Sequence, residues 1–325
     1  MKKVNPRRGS LQFWPRVRAK KETAQVRHWA ASKEAKPLGF AGYKVGMTHV
    51  MYSDNEKTSM TKGQEISAPV TVIECPPLKI AGIRFYKETD EGLKVVGDVL
   101  SEKLDKELSK TISLPKKVSK KIEDYTDYDF VNILVYTQPK LTGMSKKKPE
   151  LFELAIGGTR DEQLNFAKEK LGQEITLNDA FTEGQIVDIH AVTRGKGFQG
   201  PVKRFGVKVR DHKSEKTVRG PGSLGGWKGH GHFMWRNPLA GKMGYHLRTE
   251  YNKWIMRISD KPEDVNPKGG FINFGLVKNN YLLVKGSIAG PKKRLITLTN
   301  ATRLTKNLPS EAPSIEYVSQ ESKQG

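Results

Sequence analysis

The residues best suited to chemistry in this chain crowd between Arg194 and Arg257. Fifteen Lys and Arg stand there against three acids, Asp211, Glu215 and Glu250, a net charge of +12 out of +22 for the whole chain. The same stretch holds Trp227, Trp235 and Trp254, four of the seven histidines and twelve glycines. Lys and Arg neutralise phosphates, glycine lets a backbone approach them closely, and aromatic rings offer faces to unpaired bases. Apolar residues are too sparse for the stretch to order itself by burial alone. It needs a polyanion to lie against and reads as an arm that penetrates RNA. The candidate contacts are Arg194, Lys196, Gly197, Lys203, Arg204, Lys208, Arg210, Lys216, Arg219, Trp227, Lys228, His230, His232, Trp235, Arg236, Lys242, His246, Arg248 and Lys253.

Other chemistries fit the same residues less well. Thr193-Arg194-Gly195-Lys196-Gly197 sets glycines beside cations but lacks the spacing and the terminal Lys-Ser/Thr pair of a nucleotide-binding loop. A charge run such as Lys203, Arg204, Lys208 and Arg210 is ordinarily a solvated face, and the glycine-rich setting turns the reading toward RNA. His230-x-His232, with His246 nearby, has the alternation of a metal site, and an RNA-modifying enzyme or metal-dependent nuclease is the alternative reading. Its surroundings (Lys228, Gly229, Gly231, Arg236, Lys242) are cationic and offer no carboxylate, so no metal and no cofactor are expected. Ser10, Ser223 and Ser287 lack the frame of a hydrolase nucleophile. A basic surface for anionic lipid would want an amphipathic helix that the sequence does not supply. Trp227 and Trp235 sit among glycines and are expected against RNA or a neighbouring protein. Trp254, beside Ile255 and Met256, is expected in a core.

The elements that must position these residues follow from composition and periodicity. The chain has 325 residues, 36% hydrophobic, with mean hydropathy −0.60 and pI near 9.8. A polyanionic partner is implied. No apolar run is long enough to span a bilayer, no signal peptide is read, and Cys75 is expected as a small core residue. The charge is partitioned: residues 1–36 carry a net +9, residues 78–185 a net −1. The first 36 residues read as an extended basic arm, broken by Pro6, Gly9 and Pro15. Arg7, Arg8, Trp14, Arg16, Arg18, Lys20, Lys21 and Arg27 are its candidate RNA contacts, and Lys44 is a further one just beyond.

Strands are expected at Lys44 to Tyr52, Val70 to Cys75, Ile80 to Tyr86, Phe130 to Thr137, Ile186 to Val192, Phe271 to Val277, Tyr281 to Val284 and Leu295 to Leu298. Asn279-Asn280 suggests a hairpin turn, and Pro76-Pro77 a boundary. Leu100, Leu104 and Leu108 predict an amphipathic helix within Val99 to Leu114. Thr159 with Glu162 predicts a capped helix carrying Leu164, Phe166, Ala167 and Leu171 inward and ending at Gly172. The fold class is mainly β: a small barrel from residues 37–77 and 186–310, interrupted by an α+β insertion at 78–185. The loop of 194–257 extends from it, and 311–325 is a polar tail.

Four blocks carry a family resemblance. They are Arg8-Gly9-Ser10-Leu11 with Pro15-Arg16; Gly39-Phe40-Ala41-Gly42-Tyr43-Lys44-Val45-Gly46-Met47-Thr48-His49; Thr193 through Gly200; and Gly244-Tyr245-His246-Leu247-Arg248-Thr249-Glu250 with Asn252-Lys253. In this order they resemble the universal large-subunit ribosomal protein three family, in its archaeal type. The resemblance implies a non-enzymatic structural protein with an elongation-factor-like barrel, an N-terminal extension and a long loop reaching through large-subunit rRNA toward the peptidyl transferase centre. It implies a tryptophan at the loop tip, placed at Trp227, early action in subunit assembly, contact near the 3′ region of the rRNA, and influence on the factor-binding region. Lys213 to Ser223 departs from eukaryotic relatives, lacking their histidine and extra basic residues, so no regulatory modification is carried over. The partners implied are large-subunit rRNA and neighbouring large-subunit proteins, with no membrane and no small-molecule substrate, in the cytoplasm.

Overall fold

A computed structural model describes residues 6–56, 59–115, 121–214, 216–225, 231–305, 309 and 311–322. The chain is mainly β. Runs rich in Val, Ile, Tyr and Phe form β1 (Gly39–Ser53), β2 (Glu65–Glu74), β3 (Leu78–Thr89), β4 (Gly92–Leu100), β5 (Phe130–Tyr136) and β6 (Leu151–Ala155). Then come α1 (Arg160–Lys170), β7 (Glu174–Ile175), α2 (Leu177–Ala180), β8 (Ile186–Val192), β9 (Phe198–Gln199), α3 (Pro201–Phe205) and β10 (Gly241–Lys242). β11 (Leu247–Ser259), β12 (Tyr281–Lys285), β13 (Leu295–Asn300) and β14 (Ser314–Val318) complete the order.

Contacts divide the chain into two compact units. The larger comprises residues 21–192 and 248–325. Seven of its strands pair in the order β13-β8-β11-β12-β2-β1-β14, and β13 also pairs with β1. The circuit of hydrogen-bonded neighbours therefore closes through β13 and β1, from Gly39↔Thr299 to Tyr43↔Leu295. The second sheet, β4-β3-β5-β6 with β7 on β3, is built from the chain between β2 and β8. One contiguous core runs through both sheets, with Phe40, Tyr43, Ile73, Leu78, Ile83, Phe85 and Tyr281 fully buried. Each such side chain contributes about 1.5–3 kcal/mol by leaving water. Tyr43 Oη lies 2.9 Å from Thr137 Oγ1 and 3.1 Å from Glu150 Oε2, so a satisfied polar bridge joins β1 to the segment after β5.

Several expectations held. Thr159 and Glu162 form a capping box at the start of α1, with Glu162 Oε2 accepting from Thr159 N at 2.8 Å. Ala167 is buried, and Leu164, Phe166 and Leu171 pack on the core. Gly172 takes φ +77°, where the helix has ended. Cys75 is buried, and Trp254 is buried with its indole N–H donating to Gly184 O at 3.1 Å.

Others were overturned. Val99 to Leu114 is not one helix: Leu100 closes β4 opposite Gly82, and only Lys106–Lys110 turns, as a short 3₁₀ segment. Leu100, Leu104 and Leu108 all face a small second cluster with Ala81, Leu134 and Tyr136, so a shared packing target, not a helical stripe, sets their spacing. Phe271 to Val277 is a tight turn in which Phe271 and Gly275 exchange both backbone hydrogen bonds. β12 draws its partners from β2 and β11, so Asn279-Asn280 makes no hairpin. Instead the buried Glu74 carboxylate accepts from Lys278 N, Asn279 N and Asn279 Nδ2, at 2.8–3.0 Å. The expected polar tail contains β14, which pairs with β1 from Val50↔Val318 to Ser53↔Ser314. The end of the basic stretch is β11, whose Ile255 and Met256 lie in the core beside Trp254, as expected.

Candidate nucleic-acid interface

The smaller unit comprises residues 1–20 and 193–247. Its base is a two-stranded ladder. Thr193 N donates to His246 O at 2.9 Å, Lys196 N to Met243 O at 2.9 Å, and Met243 N to Gly197 O at 2.9 Å. β9 then pairs with β10, placing Phe198 opposite Lys242. The ladder depends on Gly244, which adopts φ +77° and passes so close that a Cβ would stand 2.0 Å from Arg194 O. No other residue type fits there. Beyond β9, Pro201 opens α3 and Gly206 closes it in the left-handed conformation.

The N-terminal arm packs onto this ladder. Ala19 N donates to Tyr245 O at 2.8 Å, His246 Nδ1 donates to Val17 O at 2.8 Å, and Arg16 Nη1 donates to Arg204 O at 3.2 Å. Further out, Arg7 Nη2 donates to Arg236 O at 3.1 Å. The joint has a small apolar heart. Phe205 is buried and stacks on Trp14 (centroids 5.9 Å apart, 22° between planes), while Trp14 meets Trp235 edge-on at 5.4 Å. The Arg16 guanidinium sits 4.2 Å from the Phe205 centroid. Gly9, at φ +80°, allows this approach, since a Cβ there would stand 2.6 Å from the Phe205 ring. The arm supplies apolar partners that the basic loop lacks in its own sequence.

The unit holds nineteen Lys and Arg against two acids, Asp211 and Glu215, so its cations cannot be balanced from within. Arg7, Arg8, Arg18, Lys20, Arg194, Lys196, Lys203, Lys208, Arg210, Lys216, Arg219, Arg236 and Lys242 are exposed, as are Gly197 and His232. Arg204 is engaged, donating to Leu239 O at 2.8 Å and Lys242 O at 3.1 Å. Trp14 and Arg16 are half-buried in the joint. Trp235 keeps 60% of its surface exposed. His246 is buried and fastens the arm. Trp227, Lys228 and His230 lie outside the described residues.

In the larger unit, Lys21 and Arg27 are exposed. Lys44 is half-buried, donating to Ile288 O at 2.5 Å and Gly290 O at 3.0 Å, and burial lowers its pKa. Lys253 donates to Ser287 O at 3.0 Å and pairs with Glu250 at 3.2 Å, and Arg248 is half-buried, its pKa lowered by burial. Sequence reasoning missed Phe198, 70% exposed, and Phe233, 60% exposed. The only available signal was a large ring inside a glycine-rich basic run. Among the described residues no three His, Cys, Asp or Glu side chains cluster as metal ligands, and no helix is long and apolar enough to cross a membrane.

The chain is similar along its whole length to known proteins. A family model described as Ribosomal protein L3 matches residues 1–325. The Large ribosomal subunit protein uL3 of Methanobrevibacter smithii is 48% identical over 331 residues, spanning 98% of each chain. The proteins of that name from Methanosphaera stadtmanae and Methanococcus maripaludis strain C7 are 47% and 45% identical, over 98% and 100% of this chain and 98% and 99% of their own. A family model matched over the whole chain and relatives nearly half identical along almost their full length place the chain in the ribosomal protein L3 family, whose members are structural constituents of the ribosome and not enzymes.

Proposed function

We propose that this protein is a structural constituent of the large ribosomal subunit and binds large-subunit rRNA through residues 1–20 and 193–247. The supporting observation is the single unit into which these sequence-distant segments fold, with its large uncompensated charge. Exposed Lys and Arg neutralise phosphates and release counterions, while Phe198, Phe233 and Trp235 offer faces to unpaired bases. The closed circuit of strands in the larger unit favours a barrel like that of elongation factors, with residues 78–185 as its insertion. The near-neutral insertion suits contact with neighbouring proteins better than contact with phosphate. Lys44 and His246 are assigned to the framework rather than to RNA. Early assembly and a reach toward the peptidyl transferase centre, with Trp227 at the tip, belong to the same proposal.

The test is binding of purified protein to large-subunit rRNA as salt is raised. Deleting 194–246 should weaken binding far more than deleting 78–185. Equal losses would overturn the assignment.

A further inference from the structure

One cavity in the smaller unit has a form that phosphate neutralisation alone does not call for. It is an open cleft of about 700 Å³, within the roughly 300–1,000 Å³ of pockets that hold small organic ligands. Its walls come from both segments of the unit. Arg18 and Lys20 contribute from the arm, Lys242, Met243 and Tyr245 from one side of the ladder, and glycine backbone at 195, 197 and 244 from the remainder. The cations carry no acid among them, so the cavity is positive. Tyr245 and Met243 give it an aromatic and a polarisable apolar surface.

The cavity is built before any ligand arrives. Three backbone hydrogen bonds hold its walls: Lys196 N to Met243 O, Met243 N to Gly197 O, and Ala19 N to Tyr245 O. Two consecutive residues, Gly244 (φ +77°) and Tyr245 (φ +57°), are in the left-handed region. For a tyrosine this is an uncommon backbone state, kept only where the surroundings over-determine it, and such strain gathers at binding sites. Gly197 is also left-handed (φ +69°), and the space where its Cβ would point is open.

Resting on the rRNA-binding reading above, we infer that this cavity receives one unstacked nucleotide of the rRNA, its base against Tyr245 and Met243 and its phosphate between Arg18, Lys20 and Lys242. An extruded nucleotide brings both a base and a phosphate to the cleft, whereas a duplex offers phosphates with its bases stacked. A bare phosphate would satisfy the cations and leave the tyrosine and methionine surfaces unused. The arm thereby gains a second role: by closing one wall it makes the site depend on both segments.

The experiment is ultraviolet irradiation of intact purified large subunits, followed by peptide mapping of nucleotide adducts. The expected result is a single-nucleotide adduct within residues 241–247, at one defined rRNA position. Tyr245→Ala should lower its yield at least tenfold and Tyr245→Phe should retain it. Met243→Glu, which puts a negative charge on the cavity wall, should raise the chemical reactivity of the same nucleotide. If subunits contain the chain and adducts form at Phe198 or Trp235 but not within 241–247, the inference is wrong while rRNA binding stands. A cross-link from 241–247 to a neighbouring protein would assign the cavity to a peptide and also overturn it. Absence of the chain from the subunits would overturn both.

Discussion

Phe205→Ala should release the N-terminal arm. Phe205 is only 6% exposed, and three arm residues converge on its ring: Gly9, Trp14 and Arg16. Truncating a buried phenylalanine costs about 3–5 kcal/mol. The lower end applies here, because Trp14 and Arg16 can relax toward solvent in so small a unit. A loss of about 3 kcal/mol is more than a hundredfold in the opening equilibrium. The reporter is the Ala19 amide, which donates to Tyr245 O across the joint. Native-state hydrogen exchange should show its protection falling by about a hundredfold, or to the unprotected rate, while amides of β8 in the larger unit keep theirs. Unchanged Ala19 protection in the variant would refute the aromatic joint. Free exchange of Ala19 in the unsubstituted protein would refute the folded unit itself.

Gly244 and Gly206 form a matched pair. Both are left-handed, but alanine at Gly206 meets open space while alanine at Gly244 meets the Arg194 carbonyl. Gly206→Ala should cost about 1–2 kcal/mol and Gly244→Ala clearly more, and equal losses of Lys196 amide protection would contradict the close approach. Replacing Lys203, Lys208 and Arg210 together by alanine should reduce the slope of log affinity against log salt by about 2–3, since each phosphate contact contributes about 0.7–0.9. An unchanged slope would remove these residues from the interface. Glu74 gives a pH prediction. Burial pushes its carboxyl above the usual carboxylate range, so the fold favours the protonated form. Its contribution to stability is therefore full below the unfolded pKa and declines as pH rises through the folded value. Glu74→Gln should gain on the unsubstituted protein between pH 4 and pH 7 in chemical denaturation, and a gap that stays flat or narrows would contradict this.

What was legible in the sequence had local causes. The α1 capping box needs only Thr159 and Glu162, three residues apart, and β8 is a short run of five apolar residues around Asp188 and His190. Strand β4 hid because Leu93, Val95 and Val96 are exposed at a sheet edge, without the alternation that marks a half-buried strand. Strand β14 hid for the same reason, with Tyr317 half-exposed. At the site, residue types pointed correctly to excess positive charge and to aromatic faces. They did not reveal that arm and loop form one body. That joint consists of contacts such as Arg16 to Arg204, 188 residues apart, which leave no periodic trace in a single chain. Lys44 and His246 illustrate the converse: their types suggested RNA, but their surroundings supply protein carbonyls as partners.

The most direct test of the central claim is sucrose-gradient fractionation of native cell extract at moderate and at high salt, following this chain. It should travel with the large subunit, survive a moderate-salt wash, and be released only as high salt screens the phosphate contacts. Recovery of the chain free at the top of the gradient in moderate salt would contradict an integral rRNA-binding role.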